Sequence, residues 1–141
     1  YFRVIGRVER SVSRVDENMK KFGYMSYCKK CLTRTTGIHS ECMCGENMEV
    51  IGPIWMDKTH DRTFCERALE VFDKNGFRNR RELFISTEEI DSPYYYDIHS
   101  LSSIIKASSP TINNLMKALR ERGFTVSRTR FSDKGLRVVR P

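Results

Sequence analysis

Four of the five cysteines fall within seventeen residues, as Cys28-x-x-Cys31, ten intervening residues, and Cys42-x-Cys44-Gly45. Two thiolates that bracket a tight turn converge on one side of the backbone, and two such knuckles complete a tetrahedral site for a single ion. The spacing therefore predicts a structural zinc held by Cys28, Cys31, Cys42 and Cys44. Four protein ligands leave no open position, so such an ion would hold structure and would not activate water. The second knuckle is one residue shorter than the usual spacer, which leaves His39 or Glu41 as substitutes for Cys42. The alternative to a metal is a set of reduced, half-buried thiols. An odd cysteine count packed this way fits a reducing compartment better than a disulfide framework. Cys65, between Phe64 and Ala68 on a helical pattern, reads as a small core residue.

The second group with chemical potential is cationic. Lys and Arg outnumber Asp and Glu by 25 to 18, and the regional balances are +6 for residues 1–40, −5 for 41–109 and +6 for 110–141. Two basic ends around an acidic middle point to a polyanionic partner. The expected phosphate contacts are Lys117, Arg120, Arg128, Arg130, Lys134 and Arg137. Arg128 and Arg130 are expected side by side on one strand face, and Arg3 and Arg7 of the first strand come next.

The third is DSPYYYDIHSL, Asp91 to Leu101, whose acid, proline and aromatic resemble the loop with which amine-directed methyltransferases grip a target nitrogen. The context favours a helix start. Ser92 is a good N-cap and Pro93 a good first helical residue, and Ile98, Leu101 and Ile105 follow at helical spacing up to about Lys106. Asp91, Pro93 and Tyr94 are then structural, and His99 an ordinary surface or core histidine.

These groups need elements to position them. Phe2, Val4, Gly6 and Val8 alternate like a strand. Val12, Val15, Met19 and Phe22 recur at helical spacing, with Gly23 as the stop. Strands are expected over 23–27, into the cysteines, and over 48–51, out of them, the latter ended by Gly52-Pro53. Asp61 caps a helix through Phe72 that ends at Asn75-Gly76, and a shorter acidic helix spans 79–90. Ser109-Pro110 opens a helix with Ile112, Leu115, Met116 and Leu119 on one face and Gly123 at its end. FTVSRTRF and LRVV then form a hairpin around Ser132 to Gly135. The fold class is thus α+β: a small mixed sheet with a zinc-ribbon-like cluster over residues 1–60, followed by a helical, winged-helix-like unit over 61–141.

At 141 residues, the chain suits one compact domain or two small units. It begins at Tyr1 on a strand-like alternation, which is expected of a domain from a longer protein. No apolar run reaches the length of a membrane span and no signal peptide is evident, so a cytoplasmic location is expected.

Taken in order, YFRV, the CxxC knuckle, the second cysteine pair, GPIW (Gly52 to Trp55), PYYYDIH (Pro93 to His99), SSP before an amphipathic helix, and SRTRF with a downstream glycine resemble the C-terminal domain of the tRNA guanine-26 N2-dimethyltransferases over nearly the whole chain. The resemblance implies a tRNA-binding domain that docks its substrate for an N-terminal methyltransferase domain using S-adenosylmethionine. The glycine-rich loop that wraps that cofactor is not in this sequence. Two departures stand out: Arg130 replaces the histidine of the usual SRTHF, and the second knuckle is short. The competing class is an interaction module of a transcription-related protein, either a zinc ribbon or a DNA-binding winged helix in which Asn113 and Asn114 would face base edges.

Overall fold

The computed structural model describes residues 8–78 and 80–140. They fall into two compact units: 8–29 with 33–56, and 57–78 with 80–140, the short turn Lys30–Leu32 being grouped with the second. The strand expected over Phe2 to Val8, with Arg3 and Arg7, lies almost wholly outside the described residues.

The first unit opens with α1 (Val12–Met19), capped by Ser11, whose Oγ accepts from the Arg14 N–H. The helical spacing is as expected, but none of its residues is buried, and Val12, Val15 and Met19 are exposed. Three antiparallel strands follow, β1 (Phe22–Tyr27), β2 (Arg34–Thr36) and β3 (Glu49–Trp55), in the order β2-β1-β3. Gly23, expected to end the helix, lies inside β1 instead. Likewise Gly52-Pro53 does not end β3. The strand carries on past it, with Gly23 opposite Ile54 and Phe22 opposite Trp55, because the register shifts between Gly23 and Met25. A proline is tolerated at such a bulge, where the ladder is already interrupted. Gly52, at φ +149°, has no room for a Cβ, which would sit 2.6 Å from the Tyr24 ring and 2.8 Å from the Gly23 carbonyl. The rejoined strand end is closed by the Phe22 and Trp55 rings, edge to face at 5.4 Å. At the other end Ser26, fully buried, donates to the Gly37 carbonyl and accepts from the His39 N–H, tying the loop after β2 onto β1.

The second unit comprises α2 (Arg62–Lys74), α3 (Arg81–Glu88), β4 (Tyr96–Asp97), α4 (Ile98–Ile104), α5 (Ile112–Glu121), β5 (Thr125–Thr129) and β6 (Ser132–Val139), its strands ordered β4-β6-β5. Asp61 caps α2 as expected, accepting from the Phe64 N–H at 2.9 Å, and Cys65 is buried on that helix. The apolar stripe of α5, Ile112, Leu115, Met116 and Leu119, packs on a core of Ile98, Val126 and Leu136.

Three expected boundaries move. Ser92 and Pro93 start no helix: Ser92 Oγ closes a local turn on Tyr94, and the tyrosine run leads into β4, where Tyr96 pairs with Leu136 and Asp97 with Gly135. The helix begins only after Asp97, whose carboxylate accepts from both the N–H and the hydroxyl of Ser100. Local capping signals existed at both places, and the long-range pairing of β4 with β6 selected the later one. Similarly α5 is capped by Thr111 and not by Ser109. The hairpin turns at Arg130-Phe131, with Thr129 opposite Ser132, so Ser132 to Gly135 are strand. Gly135 is there because a Cβ would lie 2.5 Å from Thr129 Cγ2 and 2.8 Å from the Tyr95 ring.

The Asp97 cap has a testable energy. The Ser100 N–H lowers the carboxyl's pKa, outweighing partial burial. A lowered pKa means the stabilisation is present above the ordinary aspartate value, about 3.9, and is lost as pH falls through the lowered one. Asp97→Ala should cost about 1 kcal/mol at pH 7, and the difference from wild type in urea unfolding should close in strong acid. An acid-independent difference would show that packing, not the cap, is responsible.

Candidate metal centre and nucleic-acid interface

Each cysteine pair is shaped by the backbone around it. Cys28 ends the run of β1, and its N–H donates to the Thr33 carbonyl at 2.9 Å, closing the turn that carries Cys31. In that turn Leu32 sits at φ +59°. The second pair lies on a small loop in which the Cys42 N–H donates to Glu46 and the Gly45 N–H to Cys42. Gly45, at φ +81°, supplies the left-handed residue that makes a one-residue spacer workable. As a result the four sulfur atoms lie within 4.8 Å of one another, with Cys28 Sγ and Cys44 Sγ 3.6 Å apart. One ion can reach all four, and the set fits a metal.

Cys28 and Cys42 are buried, Cys31 is half-buried and Cys44 is exposed, so the cluster reaches solvent at Cys44. The two substitutes are placed elsewhere. His39 Nε2 lies 3.1 Å from the Thr36 carbonyl, and Glu41 pairs through its backbone with Asn47.

The expected phosphate contacts separate into two groups. Lys117 and Arg120 on α5 and Arg128 on β5 line one cleft of about 700 Å³. Arg128 donates to Asn113 Oδ1 at 2.9 Å, and Arg120 to the Val126 carbonyl at 3.2 Å. Lys134, exposed on β6, borders a smaller hollow of about 170 Å³ with His99 and Pro110.

Arg130 and Arg137 face the other way. Arg137 is 2% exposed and donates to the Ile90 carbonyl at 2.7 Å, with its Nε 3.3 Å from Glu89 Oε1. Burial lowers its pKa, while Glu89 opposes that shift. Arg130 lies in the hairpin turn and folds inward, 3.4 Å from Glu89 Oε2 and donating to Ser86 Oγ and the Thr59 carbonyl. The expected alternation of Arg128 and Arg130 on one face fails because the strand ends at Thr129. Arg137 is drawn inside because β6 is the central strand and the segment after α3 covers its second face. Both arginines are therefore corrected from surface contacts to internal ones.

Asp91 also has a structural place: its carboxylate accepts from the Thr59 N–H at 3.1 Å and lies 3.5 Å from His60 Nδ1. The cleft further recruits Arg62 from α2 and Arg81 and Phe84 from α3. Those helices belong to the acidic stretch of the sequence, and the regional charge balance concealed them. Phe84 alone carried a signal, an aromatic directly beside Ile85 that cannot share its core-facing position.

The described residues contain no helix long and apolar enough to cross a membrane. The profile of the N2,N2-dimethylguanosine tRNA methyltransferases matches residues 1–140. Among similar proteins, the tRNA (guanine(26)-N(2))-dimethyltransferase of Methanosphaera stadtmanae is 31% identical over 100% of this chain and 39% of its own length. That of Methanopyrus kandleri is 32% identical over 96% of this chain and 37% of its own. The chain thus spans under two fifths of these relatives. A solved structure, Trm1 from Pyrococcus horikoshii in complex with S-adenosyl-L-methionine, shares the fold with a TM-score of 0.70 at 22% identity. It covers 92% of this chain and 35% of that protein.

Proposed function

The chain belongs to the N2,N2-dimethylguanosine tRNA methyltransferase family, and from that premise we propose that it is a zinc-stabilised, winged-helix domain that docks tRNA. Methylation by a methyltransferase domain of the same protein, using S-adenosylmethionine, completes the reading. In that division of labour this chain supplies position. The methyl donor belongs to the other domain, whose glycine-rich loop has no counterpart here.

The observation that carries the reading is the cationic cleft beside α5. The order α3, β4, α4, α5, β5, β6 with β4 on β6 supports a winged helix, in which α5 is the helix offered to nucleic acid. Lys117 and Arg120, one helical turn apart, and Arg128 from the adjoining strand would contact phosphates, with Lys134 on the wing. Contacts of this kind give affinity without reading sequence, as a module that recognises tRNA shape requires. A DNA reader would need both ends of the Asn113 amide for a bidentate contact to an adenine edge, yet its carbonyl already accepts from Arg128.

The cysteine geometry supports a tetrahedral thiolate-bound ion such as zinc. Thiolates about 2.3 Å from a tetrahedral zinc stand about 3.8 Å apart, close to the 3.6 Å between Cys28 and Cys44. When bound, the ion would cross-link β1 to the loop before β3. A cytoplasmic location completes the reading, since free thiols stay reduced there.

The test is alanine at Lys117, Arg128 and Lys134, singly and together. Each should weaken binding across different tRNAs and reduce the slope of log K against log salt by about 0.7 to 0.9, with tRNA competed poorly by duplex DNA. A folded triple variant that binds tRNA as wild type does would remove this surface from the reading.

A further inference from the structure

We infer that the cleft between α3, α5 and β5 is a pocket for one unpaired nucleotide of the bound RNA, its base against Phe84 and its flanking phosphates held by the cations of the rim. The inference rests on the docking reading for the source of the RNA, and adds which part of the RNA this cleft takes.

A surface that meets only duplex phosphates needs cations on a ridge or a shallow face. This cleft has more than that. Its volume of about 700 Å³ lies within the range of pockets that enclose small molecules. Its wall includes Phe84, 43% exposed, together with Met116 and the buried Ile85 and Val126. No other ring packs on Phe84 among the described residues. An exposed aromatic in the wall of a charged cleft lacks the apolar cover it would have in a core, and a base supplies that cover while duplex backbone does not.

The polar groups around the ring match a nucleotide. Arg62, Arg81, Lys117, Arg120 and Arg128 reach the cleft from four elements, while Glu88 is the one carboxylate of the lining. Arg81 also donates to Asp133 at 2.5 Å, both side chains being exposed. Asn113 is the most informative. Arginine can only donate, so Asn113 must present its carbonyl to Arg128, and its NH2 group is left as a donor beside the cleft. That donor and the Glu88 carboxylate, both in the lining, suit the mixed acceptor and donor of a Watson–Crick edge, which is exposed only when the base is unpaired. The arginine-held amide cannot rotate to reverse its preference without losing that bond.

The test uses the whole 141-residue chain with a fluorescent six-nucleotide single-stranded RNA, an RNA duplex of equal phosphate number, and intact tRNA. The expected result is tighter binding of the single strand than of the duplex. Phe84→Ala and Phe84→Leu should each weaken single-strand binding about tenfold with no change in salt slope, as loss of stacking requires, while Phe84→Tyr retains it. Arg62→Ala should instead lower the slope. Phe84 is 43% exposed, so Phe84→Leu, which keeps most of its apolar contact, should melt close to the wild type and separates lost stacking from lost folding.

Equal affinity for single strand and duplex, or a Phe84→Leu variant that binds as wild type does, overturns the pocket. If tRNA binding then still depends on Lys117 and Arg128, the docking reading survives alone. If the chain binds the single strand through Phe84 but does not bind tRNA, the pocket stands and the docking reading falls.

Discussion

Serine in place of Cys28 should abolish metal binding and unfold the three-stranded sheet of the first unit, the largest effect expected of any single substitution in this chain. The reason is how little else holds that unit together. Its buried apolar side chains among the described residues are Met25, Cys28 and Cys42, while Phe22, Tyr24, Val50 and Ile51 are each well exposed. Units of this size seldom bury enough surface to fold without a cross-link or a metal. A structural zinc contributes an apparent free energy of about 10 kcal/mol or more in small metal-dependent folds. Zinc content should fall from about one equivalent to almost none, and amide exchange across β1 and β3 should accelerate together. A strong chelator should reproduce this in the wild type, whereas His39→Ala should keep its metal, because His39 is engaged with Thr36 and not with the sulfurs. Full protection of β1 in the metal-free Cys28→Ser protein would show that the thiols merely fill space.

The convergence of the four cysteines was legible from spacing alone, down to the shortened second knuckle. What spacing could not decide was whether Cys42 or His39 lies beside the other three sulfurs, which depends on the left-handed Gly45 and on Ser26 holding the His39 backbone, both products of folding. Elements dominated by local chemistry were equally plain, such as Asp61 capping α2 and the α5 stripe. The errors came where two local signals competed. Ser92-Pro93 and Asp97 are both reasonable helix starts, and only the pairing of Tyr96 with Leu136, far along the chain, separates them. Gly52-Pro53 looks like a strand end unless the bulge on the partner strand is known.

Charge misled for a related reason. An arginine on a strand that alternates polar and apolar residues is expected to face water. On β6 Gly135, Leu136 and Arg137 are all buried in succession, because a central strand has two covered faces, and the second is covered by Glu89 and Ile90. Nothing near Arg137 in sequence announces that partner. Conversely, Arg62 and Arg81 sit in an acidic region and yet reach the cationic cleft. Net charge by region predicts a field, and the fold decides which charges contribute to it.

The buried charge cluster supplies the second large expected effect: Glu89→Ala should destabilise the second unit by about 3–5 kcal/mol, the usual consequence of leaving one member of a buried ion pair alone. Glu89 is 1% exposed, accepts from Thr129 Oγ1 at 2.6 Å, and lies within 3.4 Å of Arg130 and 3.3 Å of Arg137. The two guanidinium approaches are at ion-pair distance without hydrogen-bond alignment, so the attraction is mainly between charges. Removing the carboxylate leaves Arg137 buried with the Ile90 carbonyl, the Phe131 ring at 5.7 Å and the Asp91 charge as its remaining compensation. Glu89→Gln, which keeps an acceptor for Thr129 and loses the charge, should fall between alanine and wild type. Arg130→Ala should cost less than Glu89→Ala, because its side chain is 26% exposed and Arg137 remains to balance Glu89. Replacing Glu89 and Arg137 together with leucine should recover much of the loss, since apolar pairs of similar volume often match buried ion pairs in stability. Urea midpoints at constant slope are the measurement, and a Glu89→Ala stability within about 1 kcal/mol of wild type, against the roughly 3–5 kcal/mol expected of a broken buried ion pair, would show the cluster to be incidental. The cluster also fastens the end of α3 to the turn end of the β5–β6 hairpin, and these elements carry Phe84 and Arg128 into the lining of the cleft. Glu89→Gln should therefore weaken RNA binding at temperatures where the protein is still fully folded.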